Sequence, residues 1–387
     1  MNPLTATRSR IASIDILRGI IMVTMAIDHV RDYFSSARFD PTDLTQTTPA
    51  MFFTRWITHF CAPVFMLLAG VGVFLYGQKR TKAELARFLF TRGLLLVVLE
   101  FTLVTLALQF NFSFNILIAL VFWSIGMSMI FLAAMIWLPF GILAGVSLLM
   151  ILLHNTLDNI APATFGSFAW LWNVLHARGF IPFSQTSGLV IGYPLIPWIG
   201  VMGAGYAFGK FFLWPPEKRS KFFIQLGLSL TGLFILVRGL NVYGDPVPWS
   251  SQSSSLYTFL SFLNTTKYPP SLSFLLMSLG PAIAVLGLLE KAKGPVANFF
   301  SVYGKVPLFY FLLHFYLLHL ISIIAGVSQG FKASDFLHIS NEYPKEYGYG
   351  LPGVYLYWAL VVLLLYYPCR WYGNLKARSR NPLLSYI

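Results

Sequence analysis

The chain has 387 residues, 57% hydrophobic and 11% charged, with a net charge of +13, a pI near 9.7 and a mean hydropathy of +0.68. A soluble domain carries about 25% charged residues, so the composition excludes one and points to a protein of the bilayer. Continuous apolar runs exclude an outer-membrane barrel, whose strands would alternate, and fit helices crossing about 30 Å of hydrocarbon. The positive charge then reads as the positive-inside bias, and no nucleic-acid partner is expected.

In chain order the apolar runs predict about ten transmembrane helices, near 14–34, 54–77, 86–109, 113–137, 139–154, 186–212, 221–240, 271–290, 299–325 and 351–370. Arg8 and Arg10 precede the first run as in a signal peptide. Charges interrupt that run and no small-x-small cleavage site follows, so it is expected to be retained. The fourth and fifth runs meet at Leu138-Pro139, where proline stops one helix and starts the next. The stretch 165–175 is too short to span. Most of the Lys and Arg residues, Arg380 included, fall in the termini and the even-numbered connections. Both termini are therefore expected on the cytoplasmic side.

The expected fold is an all-α polytopic bundle forming one domain over 1–387. The outer loops 155–185, 241–270 and 326–350 are rich in Ser, Gly, Pro, Tyr and Trp and suit a vestibule or lid. Gly200, Gly203, Gly205 and Gly209 read as close-packing positions. Cys61 and Cys369 stand far apart in the chain and make no CxxC pattern. No metal is expected.

The first run, "SIDILRGIIMVTMAIDHVRDYF", holds Asp15, Arg18, Asp28, His29, Arg31 and Asp32. A helix turns about 100° per residue, so eleven residues bring Arg18 and His29 within about 20° of one face, about 16 Å apart along the axis. Asp15 and Asp32 fall on the same stripe. Charges inside a membrane usually face protein or an aqueous cavity. A histidine beside Asp28 and Asp32 has what a general base needs, a carboxylate to orient the ring. An ordinary Asp15–Arg18 pair and an interfacial histidine explain the same residues without chemistry.

Further polar groups stand in or near other spans. Arg55 and His59 are four apart on one helix face, level with His29. Glu100 sits mid-span with no local partner, so it pairs with another helix or stays protonated. Gln109, Asn111 and Asn115 cluster at a turn, where they cap helices or bind an acceptor hydroxyl or amine. His314 and His319 are five apart and face differently, so one of them can face the core. Arg87 and Arg92 begin the third span, where they serve the positive-inside bias or hold phosphates.

Three stretches, "RIASIDILRGIIMVTMAIDH", "PVFMLLAGVGVFL" and "VYGKVPLFYFLLH", resemble the bacterial relatives of the heparan-α-glucosaminide N-acetyltransferase catalytic-domain family. The spacing of Arg18 and His29, R-x10-H, also resembles the signature of the wider membrane acyltransferase group. The resemblance implies a transmembrane acyltransferase in a bacterial cytoplasmic (inner) membrane. It would move an acetyl or other acyl group from cytoplasmic acetyl-CoA to an outer-side glycan or other amine or hydroxyl acceptor.

On that basis His29 is the expected catalytic base, assisted by Asp28 or Asp32, with His59 second. Arg18, Asp15, Arg87 and Arg92 would serve the acyl-CoA, and Arg55, Asn111, Asn115 and His314 the acceptor. A homodimer is compatible with this assignment. The heparan-acetylating branch places its catalytic histidine in the segment after the first helix, and residues 31–51 here hold none. The alternative activity is a proton-coupled transporter or exporter, since intramembrane Asp, Glu and His also build proton relays. The missing internal repeat speaks against it.

Overall fold

The structure is a computed structural model that describes residues 11–379; Arg8, Arg10 and Arg380 lie outside them. The first helix, α1 (Ala12–Phe34), has 23 residues, about 34 Å of helix and enough to cross a bilayer. Asp15 in its first turn and Arg31 in its last both complement the helix dipole. It is buried on nearly all faces. Below, "proximal" is the end of the bundle where α1 starts and "distal" the end where it finishes.

The second span runs through α2 (Pro49–Trp56), a 3-10 turn and α3 (Cys61–Gly77). Thr48 caps it by accepting from Met51 N at 3.3 Å, with Pro49 just inside. The third runs through α4 (Lys82–Leu99), a π-helical turn at Glu100–Val104 and α5 (Thr105–Gln109). Its start carries a Thr81–Glu84 capping box. Next come β1 (Ile116–Ala119), α6 (Val121–Met135) and α7 (Phe140–Leu153). Then follow α8 (Ala169–Leu175), β2 (Gly179–Pro182), β3 (Gly188–Ile191) and α9 (Ile196–Phe208). The chain continues with α10 (Pro216–Leu240), α11 (Ser255–Leu263) and α12 (Leu272–Leu289). It ends with α13 (Pro295–Gly304), α14 (Pro307–Ser328) and α15 (Leu351–Arg378).

Among the described residues eight helical stretches are long and apolar enough to cross a membrane. Ten were expected; the charged α1 is also long enough to cross, while the apolar α6 has only 15 residues. This is an all-α polytopic bundle with one small sheet, which the sequence reading did not foresee. The sheet has the order β1-β3-β2, with β3 parallel to β1 and antiparallel to β2. Three expected spans change accordingly. Residues 113–137 begin as β1 and become helical only from Val121. Residues 186–212 begin as β3, and Pro197 opens the helix at α9. The run 299–325 breaks between α13 and α14, where Pro307 starts a new helix.

The centre is α1, which packs against α13, α14, α15, α3 and α12. Its crossing with α13 needs two glycines. A Cβ on Gly19 would stand 1.8 Å from the Phe300 carbonyl oxygen, and one on Gly304 would stand 1.8 Å from that of Asp15. The backbones touch there, and no side chain fits between them.

Candidate active site

A cavity of about 970 Å³ opens in the distal half of the bundle. Asp28, His29, Arg31 and Asp32 of α1 form one wall, and Arg55 and His59 of the second span another. The loop before α12 supplies Lys267 and Tyr268, and the start of β2 is preceded by Arg178, also on the wall. All three loops expected to form a vestibule contribute to this cavity, through Arg178, Lys267 and Asn341 among others. The cations Arg31, Arg38, Arg55, Arg178 and Lys267 outnumber the carboxylates Asp28, Asp32 and Asp40 around it.

Asp28 is held by two guanidiniums. Arg55 forms a close ion pair with its Oδ2, and Arg31 Nη2 lies 2.9 Å from its Oδ1. Arg31 also donates to Asp32 at 2.6 Å. These carboxylates are thus occupied by arginine and do not orient His29. That is a correction to the sequence expectation. A buried carboxylate takes the strongest donors within reach, and a charged guanidinium outcompetes an imidazole.

His29 instead meets His314 of α14, with Nδ1 of the first 2.7 Å from Nε2 of the second. Nδ1 of His314 lies 3.2 Å from the Tyr310 carbonyl oxygen. A carbonyl only accepts, so His314 carries its proton on Nδ1 and offers a lone pair at Nε2. His29 then donates from Nδ1 and keeps a lone pair on Nε2. The tautomer follows from the hydrogen-bond chain. Phe315 packs on the His29 ring at 4.4 Å between centroids, and Phe311 stands edge-on at 6.2 Å.

The distal loops are held firmly. Arg238 at the end of α10 donates to the carbonyls of Val247, Ser261, Phe262 and Asn264. Asp245 accepts from Thr266 N at 2.9 Å and from the Ser271 hydroxyl at 2.6 Å. Between these anchors Tyr268 lies under Arg178, 4.8 Å away, and beside Lys267, 5.1 Å away. Its hydroxyl reaches that of Tyr193 at 3.5 Å. Burial pushes the Tyr268 phenol up, but the Lys267 ammonium and the Arg55 guanidinium outweigh it and hold it below the ordinary tyrosine value. Burial and the neighbouring Tyr268 push Tyr193 well above that value.

A second cavity of about 300 Å³ lies toward the proximal end. Arg18, Tyr76, Phe88 and Arg92 line it, with Met22, Gly72, Leu96 and Met129. Its wall is mainly apolar and its cations are two arginines. Arg18 donates to the Gly304 carbonyl at 3.4 Å and sits 3.9 Å from Asp15. Arg92 stands over the Phe88 ring at 5.7 Å. Phe65, Val121 and Phe311 line both cavities, so the two adjoin at these side chains, next to His29.

The structure therefore gathers His29, Asp28, Asp32, His59 and Arg55 at the distal cavity, and Arg18 and Arg92 at the proximal one. His314 stands behind His29. The Nδ1 atom of His59 is buried without a hydrogen-bond partner among the described residues. Asp15, Arg87, Asn111 and Asn115 line neither cavity. Arg87 is exposed on α4. Asn111 ties a turn, donating to the Gln109 and Leu337 carbonyls and accepting from Ser113 N. The Asn115 carbonyl accepts from Gly188 N at 3.0 Å in the sheet.

Among the described residues Glu100 pairs with no arginine. It accepts from Trp123 N at 2.8 Å and so caps the start of α6, where free N–H groups await a carboxylate. His319 bonds the Phe336 and Ala107 carbonyls at 2.6 and 3.0 Å, away from His29. Sequence reasoning missed Arg178, Lys267 and Tyr268. The signal available for two of them was a lone lysine beside "YPP" in a loop whose other charge is Asp245.

The family model described as "Heparan-alpha-glucosaminide N-acetyltransferase, catalytic" matches residues 10–243. That range takes in α1 to α10 and ends before α14 and His314. No curated protein matches the chain at a significant level.

Proposed function

The chain belongs to the heparan-alpha-glucosaminide N-acetyltransferase catalytic family, a family of membrane acetyltransferases, and from that premise we propose that it moves an acyl group from acyl-CoA, bound at the proximal cavity, to an acceptor amine or hydroxyl in the distal one. The observation that carries this reading is the shared wall of Phe65, Val121 and Phe311 beside His29. A donor and an acceptor approaching from opposite ends would meet there.

The residues present suit each half-site. Arg18 and Arg92 offer cations to the phosphates of acyl-CoA, taken as substrate on the cytoplasmic side. The apolar wall from Tyr76 to Phe311 suits its pantetheine arm. The excess of cations around the distal cavity suits an acceptor that carries a negative group. Tyr268, Lys267 and Arg178 form the face against which a sugar-like acceptor would rest.

His29 Nε2 would take the proton of the acceptor N–H or O–H as the new bond to the acyl carbon forms. The same imidazolium would return that proton to the departing thiolate sulfur, so protons balance over the cycle. His314 holds His29 in the tautomer with its lone pair toward the cavity. The Arg31–Asp28–Arg55 chain would fix the distal half of α1. Water is kept from the meeting point by Phe65, Phe311 and Phe315.

The test is calorimetric titration of acetyl-CoA into detergent-purified, monodisperse protein, alongside Arg18→Ala and Arg92→Ala. Micromolar binding that weakens in both variants supports the reading. No binding to the wild-type protein overturns the acyl-CoA step and returns the transporter alternative.

A further inference from the structure

Away from both cavities, at the distal end of α7, three ligand-type side chains converge. His154 and Asp158 are four residues apart in the turn that ends α7, and His176 closes α8 from the other side. One ligand atom from each lies within 4.8 Å of the others. We propose that His154, Asp158 and His176 form a site for a divalent first-row transition metal, of which zinc is the type case.

Unused bonding capacity carries the argument. His154 is 2% exposed and His176 is 3% exposed. Neither ring nitrogen of His154 has a hydrogen-bond partner among the described residues, and neither does Nδ1 of His176. Buried polar atoms in native proteins are normally satisfied, and two adjacent buried imidazoles with three free nitrogens are an exception that needs an occupant. Their rings lie 5.9 Å apart between centroids, near enough to share an ion and too far to bond each other.

The carboxylate is already in place. Asp158 Oδ1 lies 3.0 Å from His176 Nε2. Its Oδ2 accepts from Asn155 Nδ2 at 2.7 Å, while Asn155 Oδ1 accepts from Leu272 N at 2.8 Å. Asn155 thus orients Asp158 from behind, as outer-shell partners of metal ligands do. Two imidazoles and one carboxylate suit zinc, whose bonds of about 2.0–2.2 Å place tetrahedral donors about 3.3 Å apart. Calcium and magnesium want oxygen donors throughout. Three protein ligands leave a fourth position for water.

The ion would staple the loop after α7 to the end of α8. Two residues beyond His176 stands Arg178, which covers Tyr268 in the distal cavity. The metal would therefore fix one wall of the candidate acceptor site from outside it.

The experiment uses the full chain, purified without a histidine tag and stripped with chelator, then titrated with zinc chloride alone and, in parallel, cobalt chloride. The expected result is one ion per chain, tetrahedral cobalt bands in the visible, and at least a tenfold loss of affinity in His176→Gln and in Asp158→Asn. His314→Ala, which removes the close imidazole pair at His29, is expected to bind as the wild type does. No binding to the wild-type chain, or unchanged binding in both site variants, overturns the proposal. Where a variant does not fold, zinc-edge absorption of the wild-type complex decides. Two imidazoles with an oxygen donor support the site, and any other imidazole count sinks it.

Discussion

His29 and His314 stand 285 positions apart in the chain, yet their ring nitrogens meet at 2.7 Å. The bond joins the first helix to α14, and it decides which nitrogen of His29 can take a proton. His314→Ala should lower kcat while leaving the KM for acetyl-CoA near its wild-type value, because the donor cavity is untouched. The loss should be part of the roughly 10²–10⁴-fold that a general base supplies, and His29→Ala should lose all of it. His314→Gln, whose amide oxygen can accept from Nδ1, should recover some of the rate. Steady-state kinetics on the four proteins check this. A rise in KM at constant kcat would remove His314 from the positioning role.

Asp28 answers to two arginines, and the two ways of breaking that set are unequal. Asp28→Ala leaves Arg55 with no carboxylate and Arg31 with only Asp32. Removing one partner of a buried pair costs about 3–5 kcal/mol. Arg55→Met should cost less, since Arg31 still holds Asp28 at 2.9 Å. Thermal unfolding in detergent should rank the melting temperatures wild type, Arg55→Met, Asp28→Ala. The reverse order of the variants would show that Arg31 does not share the load.

Gly72 lines the proximal cavity, and a Cβ built there meets nothing within 4 Å. Gly72→Phe should therefore fill the cavity without disturbing α3. Acetyl-CoA binding should fall at least tenfold while the melting temperature holds. Retained binding with an unchanged melting temperature would move the donor elsewhere.

Tyr268 is held below the ordinary tyrosine pKa by Lys267 and Arg55, which outweigh the effect of burial. Cations beside a phenol favour phenolate, so its proton leaves first as pH rises. Linkage gives the sign: a depressed folded-state pKa adds stability above that pKa, and the gain is absent at lower pH. An alkaline absorbance titration should show one early-titrating phenol in the wild-type protein and none in Tyr268→Phe. An unchanged early phase in the variant would assign it to another tyrosine.

The stripe from Arg18 to His29 was legible because helical periodicity survives eleven residues of a continuous helix. So were the eight long apolar spans of the described residues, since hydrocarbon thickness fixes their length. The partners were not. Nothing local says that Asp28 chooses Arg55 over His29, or that His314 closes on His29, because both choices are made by packing across helices. The strands "ILIA" and "LVI" were read as helix because short apolar runs have no period to tell them apart. The His154–Asp158 spacing was there to see, at the end of an apolar run. Its third member is 18 residues beyond Asp158 and reaches it only through the fold.

Phe65, Val121 and Phe311 have an electrical consequence as well. Where two cavities adjoin at a few side chains inside a membrane protein, the voltage falls mainly across that layer. A unit charge crossing it does work of about 2.3 kcal/mol per 100 mV. An acyl group is neutral and crosses without feeling the field. In the proposed transfer the acceptor's proton follows the bonding electrons to the thiolate sulfur, so no net charge crosses that layer and turnover should not depend on the resting potential.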